Sequence, residues 1–156
     1  MAKLQEGDIA PDFSLDSTDG TIRLYDLLEQ ADRGVVVYFY PRASTPGCTQ
    51  QACDFRDSLS SLKSCGYTVV GVSADSMKAL EKFKNKNALN FPLATDPGKD
   101  MLTEWGAYGE KKNYGRVFRG IIRSTIVINP DKTVALAKYN VRAKGHVERL
   151  RRDLDC

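Results

Sequence analysis

The chain has 156 residues, of which 42% are hydrophobic, 28% charged and 9% aromatic, a composition that excludes disordered and collagen-like chains and predicts one globular domain with its own core. The formal net charge is only +3. The longest apolar run, residues 35–40, is far shorter than the roughly 20 residues of a membrane-spanning helix, so we expect no membrane segment.

The N-terminal stretch MAKLQEGDIAPDF does not have the basic-then-apolar pattern of a secretion signal. Glu6 and Asp8 stand where the apolar region of a signal would be, and we therefore expect a cytoplasmic protein. Stable disulfides are rare in that reducing compartment. The four cysteines accordingly predict that any disulfide is transient and catalytic.

Charge is unevenly distributed along the chain. Residues 1–108 carry 11 Lys and Arg against 15 Asp and Glu, whereas residues 109–156 carry 12 against 5. Val147, Leu150 and Leu154 recur at helical spacing among the C-terminal arginines, which indicates that the basic residues form the solvated face of a terminal helix. We therefore expect no nucleic-acid partner.

The first predicted elements are a small hairpin, a strand and a helix. DFSL and TIRL flank the turn sequence DSTDG, and VVVYFY at 35–40 is a nearly continuous β-branched and aromatic run that Pro41 ends, as is typical of a strand buried on both faces. A helical stretch follows and stops at Gly66. Its apolar residues recur at steps of three and four: Ala52, Phe55, Leu59 and Leu62.

The next elements repeat this order. YTVVGVSA at 67–74 predicts a second buried strand, and Asp75 or Ser76 can cap a helix that contains Met77, Leu80 and Phe83. Strand, helix, strand, helix indicates a parallel α/β core. STIVINPDKTVALAKYN then predicts a hairpin through an Asn-Pro-Asp-Lys turn, and the terminal helix closes a single domain over 1–156 with a mixed sheet flanked by helices.

Two cysteines, Cys48 and Cys53, lie on the first core helix. Thr45 is placed to be its N-cap and Pro46 its first residue, where the missing N–H of proline costs nothing. Cys48 is then in the first turn. The free N–H groups there and the positive end of the helix dipole favour a thiolate.

The spacing of Cys48 and Cys53 keeps the two thiols apart. Five residues of helix separate their Cα atoms by about 8.6 Å, whereas a disulfide rarely tolerates more than about 6.8 Å. The first turns must therefore unwind before the two can bond, and the adjacent Pro46–Gly47 pair favours that opening. Cys48 also falls on the apolar stripe of the helix, and Cys53 on a different face.

The other two cysteines are expected to be incidental. Cys65, three residues after Leu62, continues the apolar stripe and is predicted to be a small buried hydrophobic residue. Cys156 is predicted to be exposed, although a mobile terminal thiol could act as an accessory resolving group.

The stretch from Pro41 to Cys48, PRASTPGC, resembles the Pro-x-x-x-Thr-x-x-Cys signature of peroxiredoxins. A second cysteine five residues on, Cys53, resembles the pattern of the subgroup called peroxiredoxin Q or bacterioferritin comigratory protein. The resemblance covers almost the whole chain, from GDIAPDFSL through STIVINPDKTV to the terminal helix. It implies a thioredoxin-like fold and thiol-dependent reduction of hydrogen peroxide and organic hydroperoxides, with no cofactor or metal.

The resemblance also implies roles for five residues. Cys48 would be the peroxidatic cysteine and Cys53 the resolving one. Thr45 would hydrogen-bond the peroxide, Pro41 would shield the thiolate from water, and Arg123 in IIRSTIVI would lie beside the sulfur. Thioredoxin or a similar dithiol is the implied reductant, and a monomer or weak dimer the implied assembly.

Three other functions stay open at this point. A protein thiol-disulfide oxidoreductase would need a Cys-x-x-Cys pair, and the position before STIVI where thioredoxin-like proteins carry a cis-proline is Arg123. A zinc module would have to use Cys48, Cys53, Cys65 and His146 without paired spacing. A redox-sensing interaction protein on the same fold is the third. The single histidine, His146, is expected to be exposed on the terminal helix.

Overall fold

A computed structural model describes residues 3–113 and 115–156. Within these residues the chain forms nine strands and five α-helices. The strands are β1 (Ser14–Ser17), β2 (Gly20–Arg23), β3 (Gly34–Phe39), β4 (Tyr67–Ser73), β5 (Leu93–Thr95), β6 (Tyr108–Asn113), β7 (Arg116–Ile121), β8 (Ser124–Ile128) and β9 (Val134–Tyr139). The helices are α1 (Leu24–Gln30), α2 (Pro46–Ser64), α3 (Met77–Lys86), α4 (Asp100–Glu104) and α5 (His146–Asp153).

The main sheet is mixed, as predicted. Among the described residues it has seven strands in the order β2-β1-β5-β4-β3-β8-β9. Strands β3, β4 and β5 run parallel, whereas β1 pairs antiparallel with β2 and β5, and β8 pairs antiparallel with β3 and β9. The N-terminal hairpin and the β8–β9 hairpin are thereby confirmed. Strands β6 and β7 form a separate two-stranded ribbon.

Helices cover both faces of this sheet. The buried residues of α2, α3 and α5 pack with Tyr38 on one face, and those of α1 and α4 pack with Phe39 and Trp105 on the other. All six residues of β3 are buried. This two-sided burial explains why β3 is a continuous apolar run instead of an alternating one.

The predicted core helices are also confirmed. Helix α2 begins at Pro46 and ends before Gly66, whose φ of 95° is the left-handed conformation that terminates many helices. Ser76 is the N-cap of α3, and its hydroxyl accepts the Ala79 N–H at 3.2 Å. Of the two predicted cap candidates, Ser76 therefore caps this helix and Asp75 does not.

Five elements have no counterpart in the sequence prediction: α1, α4, β5, β6 and β7. Three residues make up β5 and five make up α4, too few for a periodic signal. The β6 sequence, YGEKKN, is polar, and most of β7 is exposed. Within 3–113 and 115–156, the structure contains no helix with the length and apolar character needed to cross a membrane.

Candidate functional site

The start of α2 follows a short loop from the end of β3. Thr45 occupies the N-cap position with extended backbone angles, and Pro46 begins the helix, as predicted. The Thr45 hydroxyl donates to the Arg42 carbonyl at 2.8 Å and is not used to cap a helix N–H. The amides of the first turn therefore remain available to an anion.

The loop before α2 is held by Asp75, two residues after β4, and it contains an unusual backbone conformation. The Asp75 carboxylate accepts the Ala43 N–H at 2.8 Å and the Ser73 hydroxyl at 2.7 Å. Ser44 has φ of 69°, the left-handed region that non-glycine residues rarely adopt. Pro41, at the beginning of this loop, is half-buried. Asp75 thus fixes this loop, whereas the sequence pattern indicated it only as a candidate helix cap.

Cys48 lies in the first turn of α2 and points into the protein. Its exposed fraction is 1%, and it packs in the cluster that contains Tyr38, Tyr40 and Ala52. Cys48 carries a free thiol. Burial raises the pKa of Tyr38 and of Tyr40, so both phenols stay neutral beside the thiol and add no competing negative charge.

Arg123 lies between β7 and β8 and reaches the sulfur of Cys48. Its Nη2 is 3.3 Å from Cys48 Sγ, and its Nη1 donates to Gln51 Oε1 at 2.6 Å. The carbonyl of Arg123 accepts the Val141 N–H at 2.9 Å. With its backbone and one guanidinium nitrogen both held, Arg123 presents a fixed positive charge to the thiol.

Gln51 is a site residue that the sequence analysis missed. It is completely buried, one turn after Cys48 on the same face of α2. Within the described residues its Nε2 has no hydrogen-bond partner, so the contact with Arg123 is the polar interaction that accounts for its burial. The signal was present, because a glutamine three residues after Cys48 interrupts an otherwise apolar helix face.

Lys111 of β6 adds a second cation near the site. Burial lowers the pKa of Lys111, and the charge of Arg123 lowers it further, whereas Cys48 acts in the opposite direction. The β6–β7 ribbon therefore adds a second positive charge to the surroundings of Cys48.

Cys53 lies on the next turn of α2, on another side of the helix, as predicted. It is half-buried and free, and its Sγ is 3.9 Å from Asn87 Oδ1 at the end of α3. Helix α2 is continuous through Cys48 and Cys53. Since five helical residues hold their Cα atoms about 8.6 Å apart, a bond between them requires the first turns to unwind.

The predictions for the other two cysteines are wrong. Cys65 and Cys156 form a disulfide with a Cα–Cα distance of 6.2 Å, within the normal range. Both residues are half-buried. Cys65 is therefore not an inert hydrophobic residue and Cys156 is not an exposed incidental one. Their sequence separation of 91 concealed the pairing, because sequence spacing does not reveal which distant cysteines meet.

The prediction that His146 is exposed is also wrong. His146 is 3% exposed, its Nε2 lies 2.7 Å from Thr125 Oγ1, and its ring meets that of Phe55 edge-on at 6.4 Å. Burial lowers the pKa of His146 to about 4, and the nearby Arg149 and Arg123 charges act in the same direction. His146 is four residues before Leu150, so it continues the buried stripe of α5.

The structure brings some predicted site residues together and leaves others apart. Cys48 and Arg123 are in contact, and Thr45 is at the start of the same helix. Among residues 3–113 and 115–156, three or more potential metal ligands are nowhere grouped to hold an ion. The zinc alternative also loses Cys65, since that residue is bonded to Cys156.

Comparisons with known proteins agree with the site. Residues 7–137 match the model of the AhpC/TSA family. A Mycobacterium tuberculosis (strain ATCC 25618 / H37Rv) protein named "Putative peroxiredoxin Rv2521" is 51% identical over 152 residues, which cover 97% of this chain and 96% of the relative. Peroxiredoxin Bcp of Escherichia coli (strain K12) is 43% identical over 147 residues, 94% of this chain and 92% of the relative.

Solved structures agree with these relatives. One is the bacterioferritin comigratory protein of Xanthomonas campestris, solved in a study of its alkyl peroxide reduction activity. Its sequence is 31% identical to this chain, and the two structures superpose with a TM-score of 0.84. The match covers 99% of this chain and 98% of that protein. The expected thioredoxin-like fold is thereby confirmed.

Proposed function

We propose residue roles for a chain that belongs to the AhpC/TSA family and is a peroxiredoxin, which is a thiol-dependent peroxidase. In this proposal Cys48 is the peroxidatic cysteine and Cys53 is the resolving cysteine. The observation that carries this assignment is the 3.3 Å approach of Arg123 Nη2 to Cys48 Sγ. The Sγ of Cys53 is instead 3.9 Å from the neutral side-chain oxygen of Asn87.

The first step is attack of the Cys48 thiolate on the peroxide. The sulfur bonds the terminal oxygen, the O–O bond breaks, and the hydroxyl of the new sulfenic acid comes from the peroxide while an alkoxide or hydroxide leaves. Negative charge grows on the departing oxygen. Arg123 and the free amides at the start of α2 are donors fixed in advance, and such donors stabilise this charge without reorganising.

Thr45 and Pro41 complete the peroxide site in this proposal. Because the Thr45 hydroxyl donates its hydrogen bond to the Arg42 carbonyl, its oxygen lone pairs are left to accept a hydrogen bond from the O–H of a peroxide. Pro41 is half-buried at the end of β3, and its ring, which has no N–H to attract water, shields the thiolate.

The second step joins Cys48 and Cys53. The Cys53 thiol attacks the sulfenic sulfur, a water molecule leaves, and an intramolecular disulfide forms. The first turns of α2 unwind to allow this bond. A dithiol, which we propose to be thioredoxin or a similar protein, then reduces the disulfide by two successive exchanges and restores both thiols.

The setting of the reaction is also a proposal. We place the protein in the cytoplasm as a single domain that is a monomer or a weak dimer. Its substrates are hydrogen peroxide and organic hydroperoxides. The alkyl peroxide reduction activity named for the Xanthomonas campestris protein supports the organic substrates.

The decisive experiment mixes the reduced protein with one equivalent of hydrogen peroxide. Peroxide loss is followed by stopped flow, and the disulfides of the product are mapped by peptide mass spectrometry. We expect rapid consumption and a Cys48–Cys53 bond, because one equivalent of peroxide oxidises one pair of thiols. A Cys53→Ser variant should consume one equivalent and stop at the sulfenic acid. A product in which Cys48 is bonded to Cys65 or Cys156 would refute the resolving role of Cys53.

A further inference from the structure

A second pair of cysteines meets at the other end of helix α2. Cys65 is the C-cap of α2, and its partner Cys156 follows α5. About 25 Å of helix separates Cys65 from Cys48, and about 18 Å separates it from Cys53. While α2 is folded, the pair cannot exchange electrons with the proposed catalytic thiols, so any redox chemistry of Cys65 and Cys156 is their own.

The disulfide can be reached from solvent through a cleft between α2 and α5. Cys156 lines this cleft, which has a volume of about 530 Å³. Asp54 and Asp57 of α2 line it on one side, and Arg151 and Arg152 of α5 on the other. Glu148 and Asp155 also line the cleft, so carboxylates outnumber the two arginines there. The volume exceeds the minimum of about 300 Å³ usual for a small-molecule pocket.

The structure accommodates the reduced pair as well as the disulfide. Cys156 Sγ is 3.3 Å from the Ser61 carbonyl oxygen, which would accept its S–H after reduction. The end of the chain is also held without the covalent bond, because Arg33 donates to the Leu154 carbonyl and Arg151 to the Cys156 carbonyl, each at 3.2 Å. Opening the disulfide therefore leaves α5 folded in place.

We propose that Cys65 and Cys156 form a second redox centre, which an external dithiol opens and closes through the α2/α5 cleft, and that its closed form clamps α5 onto α2. A thiolate of the dithiol attacks Cys156 Sγ, the S–S bond breaks, and Cys65 leaves as a thiolate that takes a proton. The second thiolate of the dithiol then attacks the mixed disulfide, releases Cys156 and becomes oxidised. The reverse exchange with an oxidised dithiol closes the bond.

The test uses a Cys48→Ser/Cys53→Ser variant, in which Cys65 and Cys156 are the only cysteines. The folded variant is equilibrated with mixtures of reduced and oxidised dithiothreitol, quenched with acid, alkylated and examined by mass spectrometry. We expect both thiols to appear together in one reversible transition while the circular dichroism spectrum stays unchanged. Because both proposed catalytic cysteines are absent, this result does not depend on the peroxidase assignment.

Two outcomes would overturn the exchangeable centre. In one, the bond does not form even in excess oxidised dithiothreitol. In the other, it opens only after denaturant is added, as expected of a permanent structural bond. The matched control adds Cys65→Ser to the same variant, which should leave Cys156 alkylated under all conditions.

Thermal unfolding tests the clamp separately. We expect the oxidised form to melt about 5 to 10 °C above the reduced form, because the bond closes a long loop in the unfolded chain. The Cys65→Ser control should melt at one temperature with or without dithiol. Equal melting temperatures for the oxidised and reduced forms would overturn the clamp.

Discussion

The two ends of α2 place cysteines in opposite chemical environments. At the N-terminal end, Cys48 is free, almost fully buried and 3.3 Å from Arg123. At the C-terminal end, Cys65 is bonded to Cys156 and only half-buried. The first end of the helix has free N–H groups and a positive partial charge, and the second end has a negative partial charge. The proposed nucleophile and the bonded thiol therefore differ in their position along the helix as well as in burial.

The largest difference is expected when the cysteine at each end of α2 is replaced by serine, one variant at a time. Cys48→Ser removes the proposed nucleophile, and we expect peroxide consumption in stopped flow to fall at least about a thousandfold. Cys65→Ser, the matched change at the other end, should keep the rate within about twofold. Equal losses in the two variants would abolish the distinction between the ends.

The second prediction removes the cation that contacts Cys48. Arg123→Ala should lower the rate of peroxide reduction by about 100- to 1,000-fold, the usual effect of losing one donor to a developing anion. Arg119→Ala, on the exposed part of β7, is the matched control and should retain the rate. Circular dichroism should show both variants folded. A rate for Arg123→Ala that matches the control would remove Arg123 from the mechanism.

The third prediction concerns the middle of α2, where His146 packs against Phe55. Because folding lowers the pKa of His146 from 6.5 to about 4, its neutral form stabilises the fold fully above pH 6.5. As the pH falls from 6.5 to 4 this contribution to the free energy of unfolding is lost, and the total loss is about 3 kcal/mol. The stability advantage over His146→Gln, measured by urea unfolding, should shrink over this range. Parallel pH profiles for the two proteins would contradict the assignment.

The smallest predicted effect concerns how Arg123 is held. Gln51→Leu removes the 2.6 Å hydrogen bond to Arg123, and we expect the rate of peroxide reduction to fall about 5- to 20-fold. Gln51→Glu keeps an acceptor at the same place and should restore most of the rate. Gln50→Leu, which changes the exposed neighbour that bonds Asp54, is the control. Loss of the same size in Gln50→Leu would show a general effect on the helix.

The elements that carry the site could be predicted because their signals are local. The buried run at 35–40, the Thr45–Pro46 helix start and the Gly66 stop each depend on a few neighbouring residues. Arg123 was placed near the sulfur by resemblance alone. Its contact with Cys48 joins residues 75 positions apart, a distance that no periodic pattern spans.

What could not be predicted depends on contacts between distant parts of the chain. The Cys65–Cys156 bond joins the end of α2 to a segment 91 residues later. The β6–β7 ribbon has little apolar alternation, since most of its second strand is exposed. His146 was misjudged for another reason: histidine was expected on the polar face of α5, although its spacing from Leu150 places it on the buried one.

The conformation of Ser44 puts backbone strain into the loop before α2. A serine with φ of 69° has about 1 kcal/mol or more of backbone strain, and we expect unwinding of the adjacent helix turns to relieve it. The energy needed to open α2 is thus partly supplied by the resting state. Ser44→Gly would remove the strain, so the amides of the first turn of α2 should exchange with deuterium more slowly; unchanged exchange would show that the loop stores nothing.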